Sequence, residues 1–167
     1  MRQKLLGALA IGMLVAGCES TEPYKQDTDM KGNTFGDWPA PSASAEGPVP
    51  GSREDFQKNV GDRVFFDTNK SHIDSAAKTT LSNQAAWLKK WPSVDVIVEG
   101  HADQRGTEEY NMGLGQRRAA AAKKVLLSHG VPAKTIEIIS YGKTRPEDSA
   151  HTAEAWAKNR RAVTVIR

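Results

Sequence analysis

Residues 94–119 read VDVIVEGHADQRGTEEYNMGLGQRRA, and the change of period inside this stretch decides the fold. The first seven residues, VDVIVEG, are rich in β-branched side chains and read as a strand. Gly100 and Gly106 then bracket GHADQRG, a tight polar turn that carries Asp103 beyond the end of that strand. From Glu108 the pattern is helical. Residues 108–130 place Tyr110, Leu114, Ala121 and Val125 on an inward stripe, with Gly130 as the stop. Strand, polar turn and helix make one step of an alternating α/β chain.

The alternation continues on both sides. RVFFD (63–67) reads as a short buried strand. Residues 73–91 put Ile73, Ala77, Leu81, Ala85 and Leu88 on one stripe, which predicts an amphipathic helix stopped by Pro92. TIEIISYG (135–142) is a strand, TAEAWAKNRR (152–161) a helix and AVTVIR (162–167) a final strand. The expected fold class is α/β, an α+β sandwich in the order βαβαβαβ, with a mixed sheet and helices packed on one face over residues 58–167. About 110 residues suffice for one core without cross-links.

The N-terminus has a different logic. MRQKLLGALAIGMLVAGC carries Arg2 and Lys4, then an apolar stretch from Leu5 to Ala16, then small residues before Cys18. This is the layout of a signal peptide over residues 1–17, and its apolar run is short of the ~20 residues a membrane span needs. Without those residues the 23 Lys and Arg fall to 21 against 20 Asp and Glu, so nucleic acid is not an expected partner. Cys18 is the only cysteine and cannot form an internal disulfide. It reads as a bacterial lipobox cysteine, acylated after cleavage, with enough acyl chains for stable membrane anchoring. Glu19 rather than Asp follows it, which favours sorting to the outer membrane.

Residues 18–57 lose all periodicity, and DWPAPSASAEGPVPGS (37–52) is rich in Pro, Ser, Ala and Gly. That composition is expected to form a flexible tether. The 38 residues from Glu19 to Phe56 span at most ~125–135 Å fully extended, and about 30–35 Å as a coil.

The polar residues of the opening stretch define what the domain can do. Asn111, Gly115 and Arg118 share one helix face, about 100° from the stripe of Tyr110 and Leu114. Gly113 and Gly115 each cost about 1 kcal/mol relative to Ala inside a helix, so something approaches closely there, either the sheet or a ligand. A carboxylate at Asp103 and a guanidinium at Arg118 suit a zwitterion, with Asp103 taking an ammonium and Arg118 a carboxylate. The same two groups can instead pair with each other as a structural salt bridge. Asp67, at the end of the first strand, can share that sheet edge.

Catalysis finds no support. His101 and Asp103 form H-x-D, but His72, His129 and His151 are scattered, whereas a zinc site needs three or four spaced ligands. Nucleophile-elbow, P-loop and zincin motifs are absent. Asp67 and Asp103 are candidates for a glycosidase pair, without the aromatic platforms that a sugar cleft would add. No enzyme, metal or cofactor is expected.

VFFD, VEGHADQRGTEEYNMGLGQRRA, SYGKTRP and NRRAV, in this order and spacing over residues 60–167, resemble the OmpA-like C-terminal domain family, in its lipid-anchored peptidoglycan-associated branch. The resemblance implies non-covalent binding of peptidoglycan through the diaminopimelate of its stem peptide. It also implies a TolB-like periplasmic partner within a Tol–Pal system that ties the outer membrane to the wall during division. By motif position it makes Asp103 the ammonium ligand and Arg118 the carboxylate ligand. Phe66, Asp67 and Leu114 become further ligand contacts, and Asn111 and Arg161 positioning residues. Ala102 stands where the family turn has Thr, and TNKSH after Asp67 is about two residues longer than in compact relatives. A mainly protein-docking module and a wall-cutting enzyme are the alternatives.

Overall fold

The computed structural model describes residues 47–167. The signal segment, Cys18 and most of the tether lie outside the described residues. Four strands, β1 (Arg63–Phe65), β2 (Val96–His101), β3 (Ile136–Gly142) and β4 (Arg161–Ile166), form one sheet in the order β1-β4-β2-β3. β4 is antiparallel to β1 and β2, and β2 is parallel to β3. The helices are a single turn, α1 (Arg53–Asp55), then α2 (Ser75–Lys90), α3 (Glu108–Ser128) and α4 (Ala153–Asn159). From β1 to β4 the chain follows the βαβαβαβ order read from the sequence.

Each long helix starts where a side chain caps it. Asp74 accepts from the Ala77 amide at 2.7 Å to open α2, and Thr107 accepts from Tyr110 at 3.3 Å to open α3. Alternate strand residues then point to one face. Val64, Val96, Val98, Ile136 and Ala162 meet Ala77, Leu81, Ala85 and Leu88 of α2 and Ala119, Ala122 and Leu126 of α3 in one core. The stripe expected on α2 is the one buried. No helix among the described residues is long and apolar enough to cross a membrane.

One boundary and one helix face differ from the sequence reading. Residues 53–57, read as tether, belong to the folded unit, because Phe56 is 1 % exposed and packs edge-on to Trp87 with ring centroids 4.9 Å apart. Trp87 Nε1 also donates to Asp55 at 2.8 Å, and Arg53 donates to the Ile166 carbonyl at 2.7 Å. One aromatic in a polar stretch gives no periodicity, so sequence pattern does not detect it.

The face of α3 differs too. Tyr110 is 48 % exposed, whereas Asn111, Leu114, Gly115, Arg118, Ala119, Ala122 and Leu126 are buried. Gly100 and Gly115 explain the rotation. A Cβ on Gly100 would collide with the Gly115 carbonyl, and one on Gly115 would stand 2.7 Å from the Gly100 oxygen. The helix backbone lies directly on the strand backbone there, so the close neighbour implied by Gly115 is the sheet. Gly113 meets only the Arg117 side chain, at 3.4 Å.

Candidate functional site

Because β1, β2 and β3 run the same way, their C-terminal ends share one rim of the sheet, where β4 also begins. Ligands of α/β folds commonly sit beyond the carboxyl ends of strands. Phe66–Lys70 follows β1, residues 102–106 of the GHADQRG turn follow β2, Arg160 precedes β4, and α3 starts at the same rim.

The turn is fastened from several sides. Asn111 Nδ2 donates to the carbonyls of Arg105 at 2.7 Å and Thr107 at 3.0 Å. Lys143 Nζ donates to Gly106 O at 2.7 Å, and the Ala102 amide donates to Gly142 O at 2.7 Å. Ser140 Oγ donates to Met112 O at 2.7 Å, tying the start of α3 to β3. Asp103 thus projects from a rigid backbone, with its side chain 10 % exposed.

Arg118 comes from three turns into α3, and its side chain runs back toward the helix N-terminus, as helical side chains do. It is fully buried. Nε donates to Lys70 O at 3.0 Å, Nη1 to His101 O at 2.7 Å and Nη2 to Asp67 O at 3.1 Å. The guanidinium also lies 5.2 Å from the Phe66 ring centroid. One cation therefore joins the segments after β1 and β2, with one hydrogen left on each of Nη1 and Nη2. Burial lowers its pKa to about 10, with the Asp103 charge pulling the other way, so it remains a cation at neutral pH.

The salt bridge considered between Asp103 and Arg118 is not formed, because two other arginines take the carboxylate. Arg105 Nη2 reaches Asp103 Oδ2 at 2.7 Å, and Arg105 Nε reaches Oδ1 at 3.1 Å. Arg160 Nη1 stands 3.6 Å from Oδ2. Burial pushes the Asp103 carboxyl up, but the hydrogen bonds and charge of Arg105, with the charge of Arg160, outweigh it and hold the pKa below the ordinary value. Arg105 and Arg160 are the residues that sequence reasoning missed. An arginine two residues after Asp103 can fold back onto it, which is a local signal. The Arg160 signal is its place beside Arg161 at the head of a strand, since neighbours there point to opposite faces.

Among the other candidates, Phe66 and Leu114 are buried beside the rim, and Asp67 is exposed and bonded to Lys70 at 3.0 Å. That bond holds the Asp67 carboxyl below its usual range. Arg161 heads β4 at this rim, but its side chain points away from Arg160 to the face that α2 and α3 leave uncovered, 3.2 Å from Glu147. There it neighbours His101, which is 2 % exposed and whose pKa burial lowers to about 4. No group of three or more His, Cys, Asp or Glu that can hold a metal occurs among the described residues.

This rim, with one carboxylate set among guanidinium groups above a buried arginine, is built on a fold shared with a known class. The OmpA family model matches residues 65–160, and the chain belongs to that family. Its similar relatives are peptidoglycan-associated lipoproteins. That of Rhizobium meliloti is 44 % identical over 99 % of this chain and 88 % of its own length. That of Brucella melitensis is 45 % identical over 99 % of this chain and 92 % of its own. The crystal structure of the peptidoglycan-associated lipoprotein from Burkholderia pseudomallei is 36 % identical, with a TM-score of 0.62 over 64 % of this chain and 90 % of that one. The C-terminal domain of Helicobacter pylori MotB, 25 % identical, has a TM-score of 0.60 over 64 % of this chain and 84 % of that one.

Proposed function

We propose that this chain is a lipid-anchored, outer-membrane protein whose periplasmic domain binds peptidoglycan non-covalently, gripping the diaminopimelate of the stem peptide at the rim described above. The observation that carries the reading is the charge pattern there. Asp103 is held on a fixed turn to receive an ammonium, and a ligand that does so releases Arg105 from its 2.7 Å bond. The ligand carboxylate goes to the hydrogens left on Nη1 and Nη2 of Arg118. That residue is fully buried in the free protein, so the displacement of Arg105 has to open the path to it. Asp67, Phe66 and Leu114 complete the contacts, and Asn111 positions the turn. The full-length peptidoglycan-associated relatives support this reading. Cys18 is the acylated anchor, and a TolB-like periplasmic protein of a Tol–Pal system is the partner, acting in envelope integrity and outer-membrane constriction at division. The domain works as a binder and carries out no reaction.

Sedimentation with purified sacculi tests it. The wild-type protein is expected to pellet, free diaminopimelate to release it, and Asp103→Asn to stay in solution while folded. If the wild type remains in the supernatant, or Asp103→Asn pellets equally, the zwitterion reading fails.

A further inference from the structure

Beside the rim, between the segment after β1 and α4, lies an open cavity of about 350 Å³. Phe65, Phe66 and Ala157 line it with apolar surface, and Lys70, Lys158 and Arg160 with positive charge. Two acids also border it, and both are engaged. Asp67 is bonded to Lys70 at 3.0 Å, and Asp74 caps α2 at 2.7 Å. Arg160 forms the wall shared with the zwitterion site. Its Nε donates to Phe66 O at 2.9 Å and its Nη1 stands 3.6 Å from Asp103, while Nη2 has no partner among the described residues. Lys158 lines the same cavity, with its side chain 60 % exposed and bonded to Asp148 at 3.0 Å. Such an exposed pair is weak and yields readily to another anion. The cavity thus offers a small apolar floor and two cations, one side chain away from Asp103. A group that fits is a short aliphatic residue ending in a carboxylate.

Resting on the diaminopimelate reading above, we propose that this cavity is a second subsite for the stem peptide, taking a carboxylate-terminated alanyl residue joined to the diaminopimelate. The alanyl methyl lies against Phe66 and Ala157, and the carboxylate lies between Lys158 and Arg160. Wall peptides trimmed to four residues are then preferred over those trimmed to three.

Calorimetric titration tests this on the chain from residue 18 onward, with Cys18→Ser to keep it free of lipid. The ligands are a stem tripeptide ending in diaminopimelate, the tetrapeptide with a terminal alanine, and that tetrapeptide as its terminal carboxamide. The tetrapeptide is expected to bind on the order of tenfold more tightly than the tripeptide, the scale of one charge-assisted contact. The carboxamide should bind no more tightly than the tripeptide, and Lys158→Ala should remove the tetrapeptide's gain while leaving tripeptide affinity unchanged. Equal binding of tripeptide and tetrapeptide overturns the proposal, as does a gain retained by the carboxamide or an equal loss for both peptides in Lys158→Ala. If the tripeptide binds and Asp103→Asn abolishes it, the zwitterion site stands whatever becomes of the second subsite. If no ligand binds the wild type, both readings fall together.

Discussion

Replacing Arg118 with alanine tests whether this side chain is a structural clasp as well as a ligand group. The substitution removes three hydrogen bonds from a charged donor, at 2.7, 3.0 and 3.1 Å. Each such bond contributes about 1.5–3 kcal/mol. Two of the carbonyls belong to the exposed residues Asp67 and Lys70 and regain water, while that of His101, 2 % exposed, does not. Burying the cation is itself costly, as the pKa lowered to about 10 reflects, and this offsets part of the loss. The net destabilisation is on the order of 3–5 kcal/mol, the range for breaking a buried charged network. Urea unfolding followed by tryptophan fluorescence reads it, since Trp87 sits against the core. Arg118→Lys should recover little, because a single ammonium cannot span three carbonyls set around a planar fork. A loss below about 1 kcal/mol for Arg118→Ala would refute the clasp and leave the residue free to act on ligand alone.

Asp103→Asn should change stability by no more than about 1 kcal/mol, since its partner Arg105 is 44 % exposed, while abolishing wall binding in the sacculus assay. Because the folded-state pKa of Asp103 is depressed, its charge persists below the ordinary carboxyl value. Wall binding should therefore be flat from neutral pH to about 5 and be lost only as pH falls below about 3.9, as sedimentation across pH would show. Gly115→Ala should destabilise by about 1–3 kcal/mol through overpacking against Gly100 and Ser140, whereas Gly113→Ala should stabilise by about 0.5–1 kcal/mol; thermal melts separate the two. His101, with a folded pKa of about 4 against about 6.5 unfolded, favours the neutral form, so its contribution is complete above pH 6.5 and lost as pH falls toward 4. His101→Phe should flatten that part of the stability–pH curve by on the order of 2–3 kcal/mol in urea titrations.

The order of elements was legible because each announces itself locally. The β-branched run before Gly100 and the stripe from Ala77 to Leu88 needed no tertiary information. The orientation of α3 was not legible, because apolar periodicity favoured Tyr110, while the backbone contact of Gly100 with Gly115 turned the neighbouring face to the sheet. That same contact buries Arg118, a residue type that composition assigns to the surface. Asp103 was visible from its turn. Its partners were harder to read, since Arg105 folds back over two residues and Arg160 arrives from the far end of the chain. A pattern along the sequence does not tell which of two adjacent arginines faces the rim.

The bond from Arg53 to the last carbonyl of β4 has a mechanical meaning. Ile166 pairs with Val96, at the start of β2, so the chain joins the domain at the pole opposite Asp103. On the proposed function, a protein held by its N-terminus and gripping a polymer at that far pole is a link under tension, loaded along its strands. Pulling in this direction shears whole ladders of hydrogen bonds at once instead of unzipping them singly. If the two ends are so held, the strand directions oppose the force that separates them.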